Sequence, residues 1–277
     1  MATIAALLRE VTSQLESESE SPRVDAELLL GFLLKKNSAW LMAYGSDELP
    51  SEMYADFMKL LERRKAGEPI AHILGSRGFW TLDLAVTADT LIPRPETELL
   101  VELAIAKCPA DRNIRVLDLG SGTGAIALAI AAECKNVEVI AVDKSIRTLD
   151  VARENGRRNN LQVEFLQSDW FAALGNRKFD LIVSNPPYIA SGDPHLSQGD
   201  LRFEPISALV AGVDGLDDIR KIISQAPNYC LPEAWLMIEH GYDQGEAICA
   251  LFLIAGFSHV ETVKDFEQRD RVTIGQW

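Results

Sequence analysis

Two short segments of this 277-residue chain carry residue types that can do chemistry. The first is Asn185-Pro186-Pro187-Tyr188, where the apolar run Phe179–Ser184 ends. A planar nitrogen conjugated to a carbonyl or an aromatic ring is a poor nucleophile, because its lone pair is delocalised. It must be held with that lone pair aimed at its electrophile. The Asn185 side-chain oxygen can accept one N–H of an amide or amine, and the Pro186 carbonyl can accept the other. Two acceptors fix the orientation and stabilise the positive charge that arrives on nitrogen. Proline cannot join a ladder through its own nitrogen, so Pro186 presents its carbonyl outward. Tyr188 offers a flat face to a planar acceptor group.

The second segment is Asp118-Leu-Gly120-Ser121-Gly122-Thr123-Gly124, which follows an apolar run and opens the helical stretch AIALAIAAE. Its glycines remove side chains where backbone turns and approaches a ligand, and the helix start offers unpaired N–H groups. Read as Gly120-x-Gly122-x-x-Ala125, with Asp143 about 20 residues on, it also satisfies the dinucleotide fingerprint. Either nucleotide cofactor would place a ribose diol on Asp143, whose carboxylate accepts two hydroxyl hydrogens. The G-x-G-x-G spacing, with Asp118 two residues ahead, suits a ligand with an ammonium and a sulfonium but no pyrophosphate. Together with Asn185 downstream, this favours S-adenosylmethionine over NAD.

These segments need a scaffold that brings them together. From Arg115 onward, strand-like runs at Arg115–Leu119, Val137–Val142, Val163–Leu166, Phe179–Ser184 and Trp235–Glu239 alternate with helical stretches at 123–133, 145–158, 215–228 and 243–254. That succession predicts a parallel sheet covered by helices on both faces, with ligands at the carboxyl ends of the strands. His259–Val263 and Arg271–Gly275 predict a closing antiparallel hairpin. Residues 2–66 show apolar spacing for three or four helices, and a helix is expected from about Thr97 to Lys107. Residues 70–86 alternate around a Gly-Ser-Arg-Gly turn and predict a β-hairpin, followed by a proline-stiffened connector. The expected division is a helical docking domain at 1–69, a hairpin and proline-rich linker at 70–96, and a catalytic domain at 97–277.

Composition narrows the function classes. Lys and Arg total 27 against 41 Asp and Glu, a net charge of −14. Such a surface repels phosphate backbones, which disfavours a stable nucleic-acid binder. The four cysteines form no CxxC pair and have no histidine at metal-ligand spacing, so no metal is expected. The N-terminal apolar run is too short for a signal segment, and no stretch reaches the ~20 apolar residues of a membrane span. The expectation is a cytoplasmic monomer that binds no membrane.

Asn-Pro-Pro-Tyr after Asp-Leu-Gly-Ser-Gly-Thr-Gly resembles the amino-group N-methyltransferases that use S-adenosylmethionine, which act on DNA adenine, ribosomal RNA or protein glutamine. Further segments narrow the resemblance: Gly67-Glu-Pro-Ile-Ala-His-Ile-Leu-Gly75, Gly78-Phe-Trp80, Leu91-Ile-Pro-Arg-Pro-Glu-Thr-Glu98, Arg202-Phe-Glu-Pro205 and Glu239-His-Gly241. Together they resemble the release-factor glutamine methyltransferases, from the first helices to the last strand. The resemblance implies a Rossmann-like class I methyltransferase domain, α/β with a mixed seven-stranded sheet, behind a small helical domain. It implies N5-methylation of the glutamine in the Gly-Gly-Gln motif of class-I peptide release factors, which supports translation termination. It assigns Gly120 to Gly124 and Asp143 to the cofactor, Trp170 to the adenine side, Asn185 to both cofactor and substrate, and Pro186, Pro187 and Tyr188 to the glutamine pocket. Two turns depart from the family pattern: Leu231–Trp235 lacks a glycine pair, and Asp265–Asp270 lacks its glycine.

Other readings remain open at this point. A ribosomal-protein glutamine methyltransferase shares the tetrapeptide, an adenine N6-methyltransferase is opposed by the charge, and a pure docking module would be indifferent to loss of Asn185. Arg94 and Glu96 line an entrance or merely stiffen the connector. His240, after a buried strand, reads as a hydrogen-bonded core histidine rather than a base.

Overall fold

The computed structural model describes residues 3–277. The chain divides into two compact units, Met1–Ser76 with Pro194–Phe203, and Arg77–Asp193 with Glu204–Trp277.

The first unit is helical: α1 Ile4–Gln14, α2 Pro22–Leu34, α3 Ser38–Ala43, α4 Ser51–Lys65 and α5 Ile70–Leu74. Thr3 caps α1 by accepting from Ala6 N, Asn37 caps α3 by accepting from Trp40 N, and Pro22 opens α2 where no helical donor is needed. Ile4, Leu7, Leu8 and Val11 of α1 pack with Leu29 and Leu30 of α2 and Phe57 and Leu61 of α4 in one core. Beside it, the buried Arg64 guanidinium donates to Asp25 at 2.7 Å and to Asp200 at 3.1 Å. The second bond ties the distant segment Pro194–Phe203 to the helices, an association that no reading of consecutive segments supplies.

The expected hairpin is present but displaced. Residues Ile70–Leu74 are helical, with Pro69 before them and Gly75 in the left-handed conformation (φ 72°) after them. Gly75 is therefore a helix stop and not a hairpin turn. The strands are β1 Ser76–Phe79 and β2 Leu82–Ala85, and the reversal falls at Trp80-Thr81.

In the second unit a single-turn 3₁₀ segment, Pro95–Thr97, leads into α6 Glu98–Ala106. Then come β3 Ile114–Leu119, α7 Ala125–Glu133, β4 Val137–Asp143, α8 Ile146–Arg158, β5 Glu164–Gln167, β6 Phe179–Ser184, α9 Asp217–Gln225, β7 Cys230–Glu239, α10 Gly245–Ile254, β8 Ser258–Lys264 and β9 Asp270–Gln276. The sheet order is β5-β4-β3-β6-β7-β9-β8, with β9 antiparallel to both of its neighbours and the remaining pairs parallel. Chain order runs outward from β3 through β4 to β5 in one direction and from β6 to β7 in the other, so the switch point lies between β3 and β6. Alternate residues of β3 serve opposite cores: Ile114 and Val116 face α6 and α7, and Leu117 and Leu119 face the α9 and α10 side. This explains why the strands read as continuous apolar runs.

β7 starts five residues before the expected Trp235, because its early part is irregular. Cys230 pairs with Phe179 and Trp235 with Leu181, and Glu233 between them has φ 64°. Gln268, in the β8–β9 turn, has φ 62°. The two departures from the family's glycine pattern thus coincide with side-chain-bearing residues in a conformation that favours glycine. Among the described residues no helix is long and apolar enough to cross a membrane, and no group of three or more His, Cys, Asp or Glu could hold a metal.

Candidate active site

A cavity of about 470 Å³ opens at the carboxyl ends of β3, β4 and β6, within the size range of small-ligand sites. Gly120, Ser121, Gly122, Thr123, Asp143, Trp170, Asn185 and Pro187 all line it. A second hollow of about 540 Å³ lies at the opposite, amino ends of the strands, around Ile114 and Val137. It holds none of these residues, and in parallel sheets the ligand crevice forms at the carboxyl end.

The glycine loop is pinned to β4. Gly120 N and Ser121 N both donate to Val142 O at 2.9 Å, and Gly122 N donates to the Asp143 carboxylate at 3.1 Å. Asp143 also accepts from Ser145 N at 2.9 Å. Each carboxylate oxygen thus holds one backbone donor and keeps further acceptor capacity for a ligand hydroxyl. Burial raises the Asp143 carboxyl above its ordinary value, and the backbone donors oppose that rise. The three loop glycines have φ of 77°, 54° and 82°. At Gly124 there is a second reason for glycine: an added Cβ would stand 3.2 Å from Leu128 and 3.3 Å from Ala152 and Phe165.

Trp170 is itself held with φ 51°, and its carbonyl accepts from Ser168 Oγ at 2.7 Å. Beneath the loop the wholly buried Asp118 accepts from Ala127 N at 3.2 Å, and burial pushes its carboxyl up to about 7. Ser121 Oγ, buried in the cavity wall, has no hydrogen-bond partner. A glycine cradle, a diol acceptor at Asp143, an indole wall and an orphaned hydroxyl fit an adenosyl ligand with an amino-acid tail.

On the other side of the switch point, Ser184 Oγ donates to Leu119 O at 2.7 Å and ties the end of β6 to β3. Asn185 follows, and its Nδ2 donates to Thr97 Oγ1 at 3.1 Å. With that amide hydrogen engaged, Oδ1 is the group free to accept from a ligand. Pro186 is buried and does not line the cavity, while Pro187 does. Tyr188 also stays out of the lining: it is partly buried against the core on the α9 and α10 face of the sheet, and burial, with Glu239 nearby, raises its phenol above the ordinary range. Its carbonyl accepts from Gln244 Nε2 at 3.0 Å.

The smaller candidates fall into place. Arg94 forms a close ion pair with Glu204, which also accepts from Ile92 N at 3.4 Å, so the acid braces the proline connector. His240 is wholly buried, with Nδ1 2.8 Å from Gly241 O and Nε2 2.8 Å from Thr273 Oγ1. A carbonyl only accepts, so Nδ1 carries the proton and Thr273 donates to Nε2. Burial lowers the His240 pKa, so the ring is neutral.

The comparisons with known proteins agree with this geometry. Residues 6–75 match the family described as PrmC N-terminal domain, and residues 95–199 match Methyltransferase small domain. The release factor glutamine methyltransferase of Escherichia coli K12 is 48% identical over 98% of this chain and 97% of its own. That of Pseudomonas aeruginosa is 51% identical over 100% and 99%. This chain belongs to the release factor glutamine methyltransferase family. A solved methyltransferase from Pyrococcus furiosus shares the fold, with a TM-score of 0.53 at 19% identity over 80% of this chain and 98% of that one.

Sequence reasoning missed two residues around the site of this family member. Asn155, wholly buried on α8, donates from Nδ2 to Thr123 O at 2.9 Å and to Ala85 O at 3.0 Å, and accepts from Ala85 N at 2.7 Å. It clamps the glycine loop to the β-hairpin. Glu239, the last residue of β7, is buried behind Asn185. The signal for Glu239 was an acid at the end of an apolar strand. Asn155 stood among polar helix residues with nothing to mark it.

Proposed function

We propose that this protein methylates the side-chain amide nitrogen (N5) of the glutamine in the Gly-Gly-Gln motif of class-I peptide release factors, with S-adenosylmethionine as methyl donor. One observation carries the reading: Asn185, its Nδ2 engaged by Thr97, lines the same cavity as the glycine loop and Asp143. When bound, S-adenosylmethionine supplies a methyl group made electrophilic by the sulfonium. Asp143 would accept the ribose hydroxyls, and Trp170 would flank the adenine. Asn185 Oδ1 and the Pro186 carbonyl would accept the two amide hydrogens of the glutamine and orient its nitrogen for in-line displacement. Pro187 and Tyr188 would shape that pocket, with the Tyr188 ring acting from the packed side. No strong base is required beforehand, because the methylated nitrogen becomes acidic and loses its proton to water or a carbonyl.

The helical unit would dock the release factor, the protein would act as a cytoplasmic monomer, and the −14 charge would complement a basic protein surface. Incubation with a release factor and labelled S-adenosylmethionine should mark one tryptic peptide, at its Gly-Gly-Gln. Absence of label there, with Asn185 intact, would overturn the reading.

A further inference from the structure

Behind Asn185 lies a buried polar cluster that the reaction above does not use. The β6–β7 register pairs Ser184 with Ile238, so Asn185 and Glu239 are the next partners at the two strand ends. In a parallel pair such partners project to the same face. Glu239 is 1% exposed, Thr97 is 4% exposed, and Glu239 Oε2 has no hydrogen-bond partner. The Thr97 hydroxyl and the Asn185 amide are the side-chain hydrogen-bond neighbours of the carboxyl. Thr97 Oγ1 accepts from Asn185 Nδ2 at 3.1 Å, so its own O–H is free to point at Glu239. The second Nδ2 hydrogen of Asn185 is available to the carboxyl, which in its ionised form only accepts.

We propose that Glu239 is a positioning residue that fixes the flip of the Asn185 amide, holding Nδ2 inward on Glu239 and Thr97 and Oδ1 outward on the glutamine. The inference rests on the reading of Asn185 given above and deepens it. A side-chain amide is nearly symmetric in shape, so packing alone would not choose between its two orientations. The wrong one presents a donor to a substrate amide that itself donates. An acceptor-only partner on the inner side removes that choice. A glutamine at position 239 would restore it, because its own NH₂ can donate to Asn185 Oδ1 and stabilise the inverted amide.

The same cluster makes the device sensitive to pH. The groups facing Glu239 are Thr97 and Glu96 from the connector, Asn185 and Tyr188 after β6, and Arg271 from β9, with His240 next to it on its own chain. Burial pushes its carboxyl up to about 7, and Glu96 adds to the rise. Thr97, Arg271 and Asn185 oppose it. Protonation places a donor on the carboxyl and gives the inverted amide a partner. Turnover should therefore rise with pH through about 7.

The test compares wild type, Glu239→Gln, Thr97→Val and the double variant, with a release factor as substrate. Readouts are kcat, KM, S-adenosylhomocysteine affinity by calorimetry, and the pH profile. Glu239→Gln should lower kcat at least 30-fold, shift S-adenosylhomocysteine affinity less than threefold, and lose the acid limb near pH 7. Thr97→Val should lower kcat about tenfold, and the double variant should fall no more than about twofold below Glu239→Gln, because both act through one amide. A Glu239→Gln enzyme within threefold of wild-type kcat and keeping the acid limb overturns the proposal. So does a tenfold loss of cofactor-product affinity, which marks a merely structural role. If Glu239→Gln does not fold, Thr97→Val and the wild-type pH profile decide: full kcat in the one and no acid limb in the other overturn it. Asn185→Ala separates the two levels, since undiminished methylation by that variant overturns the reading of Asn185 itself.

Discussion

Replacing Asn155 by alanine should damage the cofactor site from a distance and destabilise the protein. The side chain is wholly buried and makes three hydrogen bonds, of 2.7, 3.0 and 2.9 Å, to Ala85 N, Ala85 O and Thr123 O. Truncation strands all three backbone groups. The Thr123 carbonyl lies in a buried contact and loses about 1–3 kcal/mol, the full cost of an unpaired buried acceptor. The two Ala85 groups are partly buried, and water recovers part of their loss, leaving about 1 kcal/mol each. The sum is about 3–5 kcal/mol, a large share of the ~5–15 kcal/mol that holds a typical domain together. The functional effect follows from geometry. Thr123 sits in the glycine loop, so its release frees the cradle, and S-adenosylhomocysteine affinity should fall about tenfold or more. Urea denaturation of the cofactor-free protein gives the first number, and calorimetric titration gives the second. A stability loss under 1 kcal/mol, or unchanged affinity, would refute the clamp. Asn155→Asp tests the same contacts by sign, because it sets a carboxylate against two carbonyl oxygens. The introduced carboxyl would have its folded-state pKa raised above the unfolded value, so its penalty is present at neutral pH and is relieved as pH falls toward the unfolded value.

Three further outcomes are expected. Gln268→Gly removes a side chain from a turn position at φ 62° and should stabilise the protein by about 0.5–1 kcal/mol in urea denaturation, offset in part by the freer unfolded chain; a destabilised variant would contradict the strain argument. Burial holds the Asp118 carboxyl at about 7, above its unfolded value of 3.8, so the contribution of this group to stability is full below about 4 and is lost as pH rises to about 7. Asp118→Asn should flatten that dependence between pH 5 and pH 8, and an unchanged slope would refute it. Release-factor affinity should weaken as salt rises from 50 to 300 mM if the −14 charge steers docking, whereas a salt-independent Kd would remove charge complementarity from the account.

What the sequence made legible depended on how far apart the interacting groups stand along the chain. The strands β3, β4 and β6 could be read because their residues serve cores on both faces and form unbroken apolar runs. The glycine loop and Asn185 were visible because each joins special residue types at short spacing. The hairpin was misplaced because Ile70–Leu74 alternates like a strand, while Pro69 and Gly75 punctuate it as a helix. The start of β7 was missed because Pro232 and Glu233 sit in an irregular stretch that still pairs with β6.

The pairings that went unseen share one property. Asn155 reaches partners 70 and 32 positions away, Thr97 meets Asn185 across 88, and Arg94 meets Glu204 across 110. No local rule of spacing reports such pairs, because the fold and not the chain makes them neighbours. These contacts also decide whether the legible motifs can work. Glycines permit the loop its turns, but Asn155 chooses which turn it holds. An asparagine supplies an acceptor, but its buried neighbours choose whether the acceptor or the donor faces the substrate. A sequence that kept both motifs and lost the long-range pairs would still read as a member of the family, and on this structure it would bind its cofactor weakly and turn over slowly.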